Sequence, residues 1–284
     1  MKTRLFSPAA LTEAGHVRGA ALAVFIAVAG MISCGTASAQ GQPPPPDKMF
    51  VEGEELVYNV RYGFIDLGQV RIKILRAVPG NSSLAYEGRG LIDSYPKVPF
   101  ANLHAVYESL IDTGMFSRKF VGRAKDNDQW DLSRYNFDYA GKRVLIEVGT
   151  HDTVITRRDT LAIESPYHDG LSLFFYARAR LFSGQKVNVP TLIREKKVNT
   201  YIDFKDEHTS VELEAVDYPV DVVRFDGNMN FVGIFGLTGG FEGWFSNDEA
   251  RVPIQAKMKV IIGSVTIELM KWTRPGWNPP RAKG

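Results

Sequence analysis

Leu56, Tyr58, Val60 and Tyr62 occupy every second position of the run Glu55-Leu56-Val57-Tyr58-Asn59-Val60-Arg61-Tyr62. A helix scatters these four side chains around its axis, whereas a strand puts them on one face. After a break at Gly63–Gly68, Val70, Ile72 and Ile74 alternate with Gln69, Arg71 and Lys73, which predicts an antiparallel hairpin. The same period returns at Val144, Ile146 and Val148 after the turn Tyr139-Ala140-Gly141-Lys142. It returns again at Val211, Leu213 and Ala215, and at Val265, Ile267 and Leu269 after Gly263. Tyr86–Leu91 and Ala105–Ile111 are weaker strand candidates. Many short strands separated by Gly, Asn and Asp predict a mainly β chain: a single antiparallel domain, barrel-like or strongly curved.

One stretch departs from this habit. Leu171, Phe174, Phe175 and Arg178 fall at helical spacing, with Asp169 placed as N-cap and Ser183-Gly184 as the stop. One short helix is expected here, plugging or lidding the β structure.

The N-terminus reads as an export signal. Lys2, Arg4 and Arg18 precede the apolar run Gly19–Ser33, which is shorter than the roughly 20 residues of a membrane span. Ala37-Ser38-Ala39 then supplies small residues for a peptidase cut after Ala39. Cys34 follows Met31-Ile32-Ser33, so lipidation at Cys34 and a membrane-anchored lipoprotein is the alternative to a soluble periplasmic protein. The expected layout is a signal peptide at 1–39, a Pro-rich spacer at 40–48, a β domain at 49–274 and an irregular tail at 275–284. No transmembrane span is expected in the mature chain.

Charge narrows the partners. The chain has 34 Lys and Arg against 32 Asp and Glu. Removing the first 39 residues takes away three bases (Lys2, Arg4, Arg18) and one acid (Glu13), leaving no net charge. Nucleic acid is therefore not an expected partner. Cys34 is the only cysteine, which leaves the mature chain without a disulfide framework or a thiolate site.

Three segments occur in a telling order. They are Phe50-Val51-Glu52-Gly53-Glu54-Glu55-Leu56-Val57-Tyr58, the helix with Asp169, Ser172, Phe175, Tyr176 and Arg178, and Trp244-Phe245-Ser246-Asn247-Asp248-Glu249-Ala250-Arg251-Val252-Pro253-Ile254. With the closing run Ile262–Leu269, the chain resembles the DUF3108 family of bacterial exported proteins over about Met49–Trp272. The resemblance implies a YmcC-like, barrel-like β fold in the cell envelope. The family's function is unknown, so the resemblance supplies no catalytic residues.

The residues themselves carry little reaction chemistry. His104, His151, His168 and His208 form no local metal pair, and no phosphate loop, dinucleotide motif or nucleophile elbow is present. No metal, no cofactor and no catalytic residue are therefore expected. His168-Asp169 reads as an N-cap beside a surface histidine, with an acid–base pair as the alternative. Arg178, on the apolar side of its helix, needs a partner: a structural carboxylate or the anionic head of a ligand. Asp226–Phe245 interleaves glycines with Phe231, Phe235, Phe241, Trp244 and Phe245. Its rings fill a barrel as a turn-rich hairpin, or form an apolar loop at a barrel mouth. Asp248, Arg251 and Pro253 are expected to define a turn, with Asp248 binding backbone amides and Arg251 a carboxylate.

The expected function is non-enzymatic binding of an apolar or amphipathic ligand in the envelope, with Arg178, Phe235, Phe241, Trp244 and Phe245 as candidate contacts. The alternatives are an envelope interaction or assembly protein using 226–245, and a hydrolase acting on envelope material. Oligomeric state carries no sequence signal.

Overall fold

The computed structural model describes residues 46–79, 84–96, 98, 102–126, 129–151, 153–229, 239–259 and 263–283. The expected signal peptide, Cys34, Phe231 and Phe235 lie outside these residues.

The described residues open with helix α1 (Pro46–Met49), one turn at the end of the Pro-rich segment, and Met49 and Phe50 are buried. Fourteen strands and one longer helix follow. They are β1 (Glu55–Tyr62), β2 (Ile65–Pro79), β3 (Leu84–Ser94), β4 (Leu103–Asp112), β5 (Ser117–Asp126), β6 (Gln129–Asp138), β7 (Arg143–His151) and β8 (Val154–Ala162). Helix α2 (Gly170–Arg180) separates them from β9 (Lys186–Ile193), β10 (Lys196–Val211), β11 (Val220–Met229), β12 (Gly239–Ser246), β13 (Pro253–Lys259) and β14 (Ser264–Thr273). All strands join one antiparallel sheet in the order β8-β7-β6-β5-β4-β3-β2-β1-β14-β13-β12-β11-β10-β9. Consecutive strands therefore pair, except β8 and β9, and β1 also pairs with β14.

The sheet is not closed by a ladder: β8 and β9 are its edges. Side chains and one connector span the gap. His168 lies along β9, its N–H donating to Pro190 O at 3.0 Å and its O accepting from Leu192 N at 2.8 Å. On the other side, Ser117 N of β5 donates to Tyr167 O at 3.2 Å. Leu192 of β9 packs with Tyr135, Phe137, Val144 and Ile146 of β6 and β7. At the β9–β10 turn, Glu195 Oε1 accepts from Tyr135 Oη at 2.9 Å and Ser133 Oγ at 2.7 Å. The two ends of the sheet thus meet through a mixed core, the barrel-like arrangement that a long antiparallel meander adopts when both edges need cover.

Helix α2 lies against the inner face. Leu171 and Phe175 share a core with Leu56, Tyr58, Ile74 and Tyr86, while Ala177 and Leu181 share another with Phe204, Phe225 and Phe245. Room for the helix comes from β3, where a Cβ at Gly88 would stand 3.3 Å from Leu171 Cδ2. The helix therefore fills the interior.

One strand expectation fails. Val211, Leu213 and Ala215 were expected on a strand, yet β10 ends at Val211 and the chain turns, with Val216 N bonded to Leu213 O at 3.1 Å. Leu213 is buried as the turn folds back on the sheet, and Glu214 N reaches Glu268 Oε1 at 3.3 Å. Burial of Leu213 in a turn mimics the alternation of a strand. Beyond β14 the tail is tied down: Trp277 Nε1 donates to Asp248 Oδ2 at 2.7 Å, and Arg281 bridges Val220.

Candidate functional site

Three groups of side chains stand out as places where chemistry or binding could reside. The first is beneath the start of α2. Asp169 is the N-cap; its Oδ1 accepts from Leu171 N at 2.7 Å and Ser172 N at 2.9 Å. Its Oδ2 accepts from Ser109 Oγ at 2.5 Å and Ser117 Oγ at 2.6 Å. Burial raises the Asp169 pKa, and the hydroxyl and amide donors pull against that rise without cancelling it. His168 was expected at the surface; it is instead 1% exposed, between the rings of Phe116 and Tyr176. The correction has a physical cause, because the residue before the cap must lie along β9 to cover that edge. Burial pulls its imidazole down to about 4, so it is neutral at pH 7. Polar groups do converge here, but none of Ser109, Ser117, His168, Asp169 and Ser172 is more than 3% exposed. Their hydrogen bonds anchor the helix start to β4 and β5 and leave no surface for a substrate.

The second group surrounds Arg178, which takes a structural carboxylate. Its Nη1 donates to Glu54 Oε1 at 2.6 Å and its Nη2 to Ala250 O at 2.9 Å, all out of solvent. Arg274 also binds Glu54, and it donates to Lys48 O at 2.7 Å. Arg251 was expected to pair with a carboxylate. It donates instead to the carbonyls of Ala179 at 2.8 Å and Arg178 at 3.3 Å. The last carbonyls of a helix lack internal partners and attract a cation, which explains the change. Burial, then the neighbouring Arg178 charge, bring the Arg251 guanidinium down to about 10. Asp248 Oδ1 accepts from Ala250 N and Arg251 N, each at 3.0 Å, and Pro253 opens β13. This constellation locks α2 to the β12–β13 turn.

The third group is the Gly/aromatic hairpin of β11 and β12. Register places Phe225 opposite Gly243 and Gly227 opposite Phe241. A Cβ at either glycine would run into the opposing ring. Phe225 packs edge-on to Phe245 at 4.9 Å and to Phe241 at 6.3 Å, so these rings face inward. Trp244, one residue away from Phe245, points to the opposite face with Lys257 Nζ 5.4 Å above its ring. Phe245 and Trp244 are buried, and Phe241 is only half-buried.

Ladder partners run Ile65–Tyr62–Val265–Met258–Phe241 across five strands on one face. Beside Phe241 lies a groove of about 320 Å³ lined by Gly240, Phe241, Glu242, Lys257, Lys259, Gly263 and Ser264. It joins one ring to two exposed lysines. A second groove, of about 200 Å³, is lined by Asn59, Arg61, Glu214, Thr266 and Glu268, but Arg61 there is already bound to Glu214 at 2.7 Å and Asp66 at 2.9 Å. Among the described residues no three His, Cys, Asp or Glu side chains converge as metal ligands, and no helix is long and apolar enough to cross a membrane.

The sequence profile of DUF3108, a protein family of unknown function, matches residues 57–270. The chain belongs to the DUF3108 family. This DUF3108 domain is similar in fold to a beta-barrel-like protein of the DUF1849 family from Brucella abortus, at 9% identity and a TM-score of 0.51, covering 78% of this chain and 98% of that one. A putative exported protein with a YmcC-like fold from Bacteroides fragilis overlays with a TM-score of 0.29 at 6% identity, covering 79% and 97%. No curated protein matches the sequence. The likeness to the DUF1849 protein is one of barrel-like β architecture.

The sequence singled out Phe241, Trp244 and Phe245, and the structure separates them into a half-buried rim ring, Phe241, and two buried rings, Trp244 and Phe245, that belong to different cores. Lys257 and Lys259 were missed. Their exposed positions on β13 alternate with half-buried Ala256 and Met258, a period-two signal that was present in the sequence.

Proposed function

We propose that this protein is exported to the cell envelope and there holds an amphipathic ligand at the rim groove beside Phe241, without catalysing a reaction. The observation that carries this reading is the groove itself, whose lining includes the half-buried ring of Phe241 and the exposed residues Lys257 and Lys259. Its volume of about 320 Å³ reaches the lower range of small-molecule sites. An apolar chain would lie on Phe241 and Gly240, and an anionic head would meet the lysines. The interior, filled by α2 and its rings, is not the place for such a molecule. Export rests on the charged start, the apolar run Gly19–Ser33 and the Ala37-Ser38-Ala39 cut.

Organic extraction of the purified protein followed by mass spectrometry tests the reading. The expected result is a co-purifying amphiphile that is lost in Phe241→Ala and in the Lys257→Ala/Lys259→Ala double variant. Extracts free of any amphiphile, or equal recovery from these variants, would sink it.

A further inference from the structure

We propose that the β1–β2 turn is a membrane-docking tip that sets Phe64 into the headgroup region of an anionic phospholipid surface. Phe64 is 94% exposed, the most exposed large apolar side chain among the described residues, and Ile65 beside it is 38% exposed. A lone exposed apolar residue is ordinary; a ring at the apex of a tight hairpin is placed to reach outward. Tyr62 pairs with Ile65, so Gly63 and Phe64 alone make the turn. Gly63 has φ +58°, a left-handed conformation that lets the chain reverse in two residues. The ladder carries one bulge at Leu67, whose O accepts from Tyr95 N at 2.9 Å, and pairing resumes at Arg61–Asp66 and Tyr62–Ile65, so only Gly63 and Phe64 lie beyond it.

The surroundings favour lipid over a protein pocket. Behind the tip, the ladder row Ile65–Tyr62–Val265–Met258–Phe241 is apolar; Val265 in it is buried and packs with Tyr62 and Met258, which gives the tip a firm base. Met258 lies three strand spacings from Ile65, about 15 Å, and exposed Lys257 and Lys259 flank it. The nearby acids are spent: Asp66 is bound to Asn59 at 2.7 Å and to Arg61 at 2.9 Å, and Glu242 is bound to Arg224 at 2.8 Å. An aromatic tip, with two exposed lysines at the same end of the sheet, matches a surface that is apolar beneath and negative on top.

This inference goes beyond the ligand reading and stands without it. A protein that binds vesicles but yields no extracted amphiphile would keep the docking tip and lose the ligand site.

Flotation of the full protein with phosphatidylcholine vesicles containing 30% phosphatidylglycerol is the test. Binding is expected to fall about tenfold in Phe64→Ser. It is expected to fall on the order of fivefold for each of Lys257→Glu and Lys259→Glu, and to vanish with phosphatidylcholine alone. Because Phe64 touches almost nothing, its variants fold. A Phe64→Trp variant should show quenching by brominated acyl chains beyond that of the native tryptophans. Failure of the wild type to float, unchanged flotation of Phe64→Ser, or an unquenched Phe64→Trp overturns the proposal. So does an effect of Phe64 confined to capture of an envelope protein.

Discussion

Arg178 and Glu54 stand 124 residues apart in sequence and meet at 2.6 Å with neither side chain in solvent. Glu54 serves two guanidiniums, since Arg274 binds it as well. Burial works against its ionisation, but Arg178 and Arg274 outweigh that effect and hold its carboxyl below the ordinary value. Its contribution to stability is therefore present above the ordinary carboxylate range and lost as pH falls through the depressed folded value. Glu54→Gln leaves two buried cations facing a neutral amide and should cost about 3–5 kcal/mol in urea unfolding. Arg178→Met leaves Glu54 paired with Arg274 and should cost less. Equal losses in the two variants would contradict this division of labour.

His168 sets a second pH dependence. Its folded value of about 4 lies below the ordinary 6.5, so between these values the unfolded chain binds more protons than the folded one. Stability should then be complete above about pH 6.5 and fall by about 3 kcal/mol as the pH drops towards 4. Asp169 is raised and works in the opposite direction, favouring the fold at low pH. Denaturant titrations from pH 7 to 4 should show the His168 slope, and His168→Phe should flatten it even if that variant is less stable at pH 7.

Asp169 itself separates hydrogen bonding from charge. Asp169→Ala removes the helix cap and strips Ser109 and Ser117 of their acceptor. The sum should be about 3 kcal/mol, from about 1 for the cap and the rest for stranded hydroxyls. Asp169→Asn keeps an acceptor oxygen and carries no buried charge, so its loss should be under about 1.5 kcal/mol. Thermal unfolding of both variants at pH 7 measures the difference.

Legibility in the sequence followed the one-sided faces. β1, β2, β7 and β14 each carry large apolar side chains inward and polar ones outward, and their period was plain. On β5 the inward positions Phe120, Gly122 and Ala124 are mostly small, because Phe120 and Tyr107 already cover Gly122, so the strand shows no apolar period. On β8 nearly every side chain is exposed, as on a charged edge, and alternation has nothing to report. The helix and its cap were readable because Asp169 and the Leu171–Arg178 stripe are local. Glu54 as the partner of Arg178 was not, since that choice is made by packing across the whole sheet. The rim groove was half legible: the glycines and rings announced it, while their assignment to opposite faces depended on the β11–β12 register.

That register yields a last contrast. Gly227 and Gly243 both sit beneath phenylalanine rings across the β11–β12 ladder, but the two rings differ in freedom. Phe241, over Gly227, is half-buried at the rim and has space to swing aside. Phe225, over Gly243, is wedged against Phe204 at 5.6 Å and Phe245 at 4.9 Å and has none. A methyl group at Gly243 must therefore distort the core, costing about 1–3 kcal/mol, whereas Gly227→Ala should cost under about 1 kcal/mol. Replacing Phe225 by Leu in the Gly243→Ala background frees the methyl and should recover part of the loss, a coupling that a double-mutant cycle resolves. The same cycle between Gly227→Ala and Phe241→Leu should show little coupling, because the rim ring has already moved.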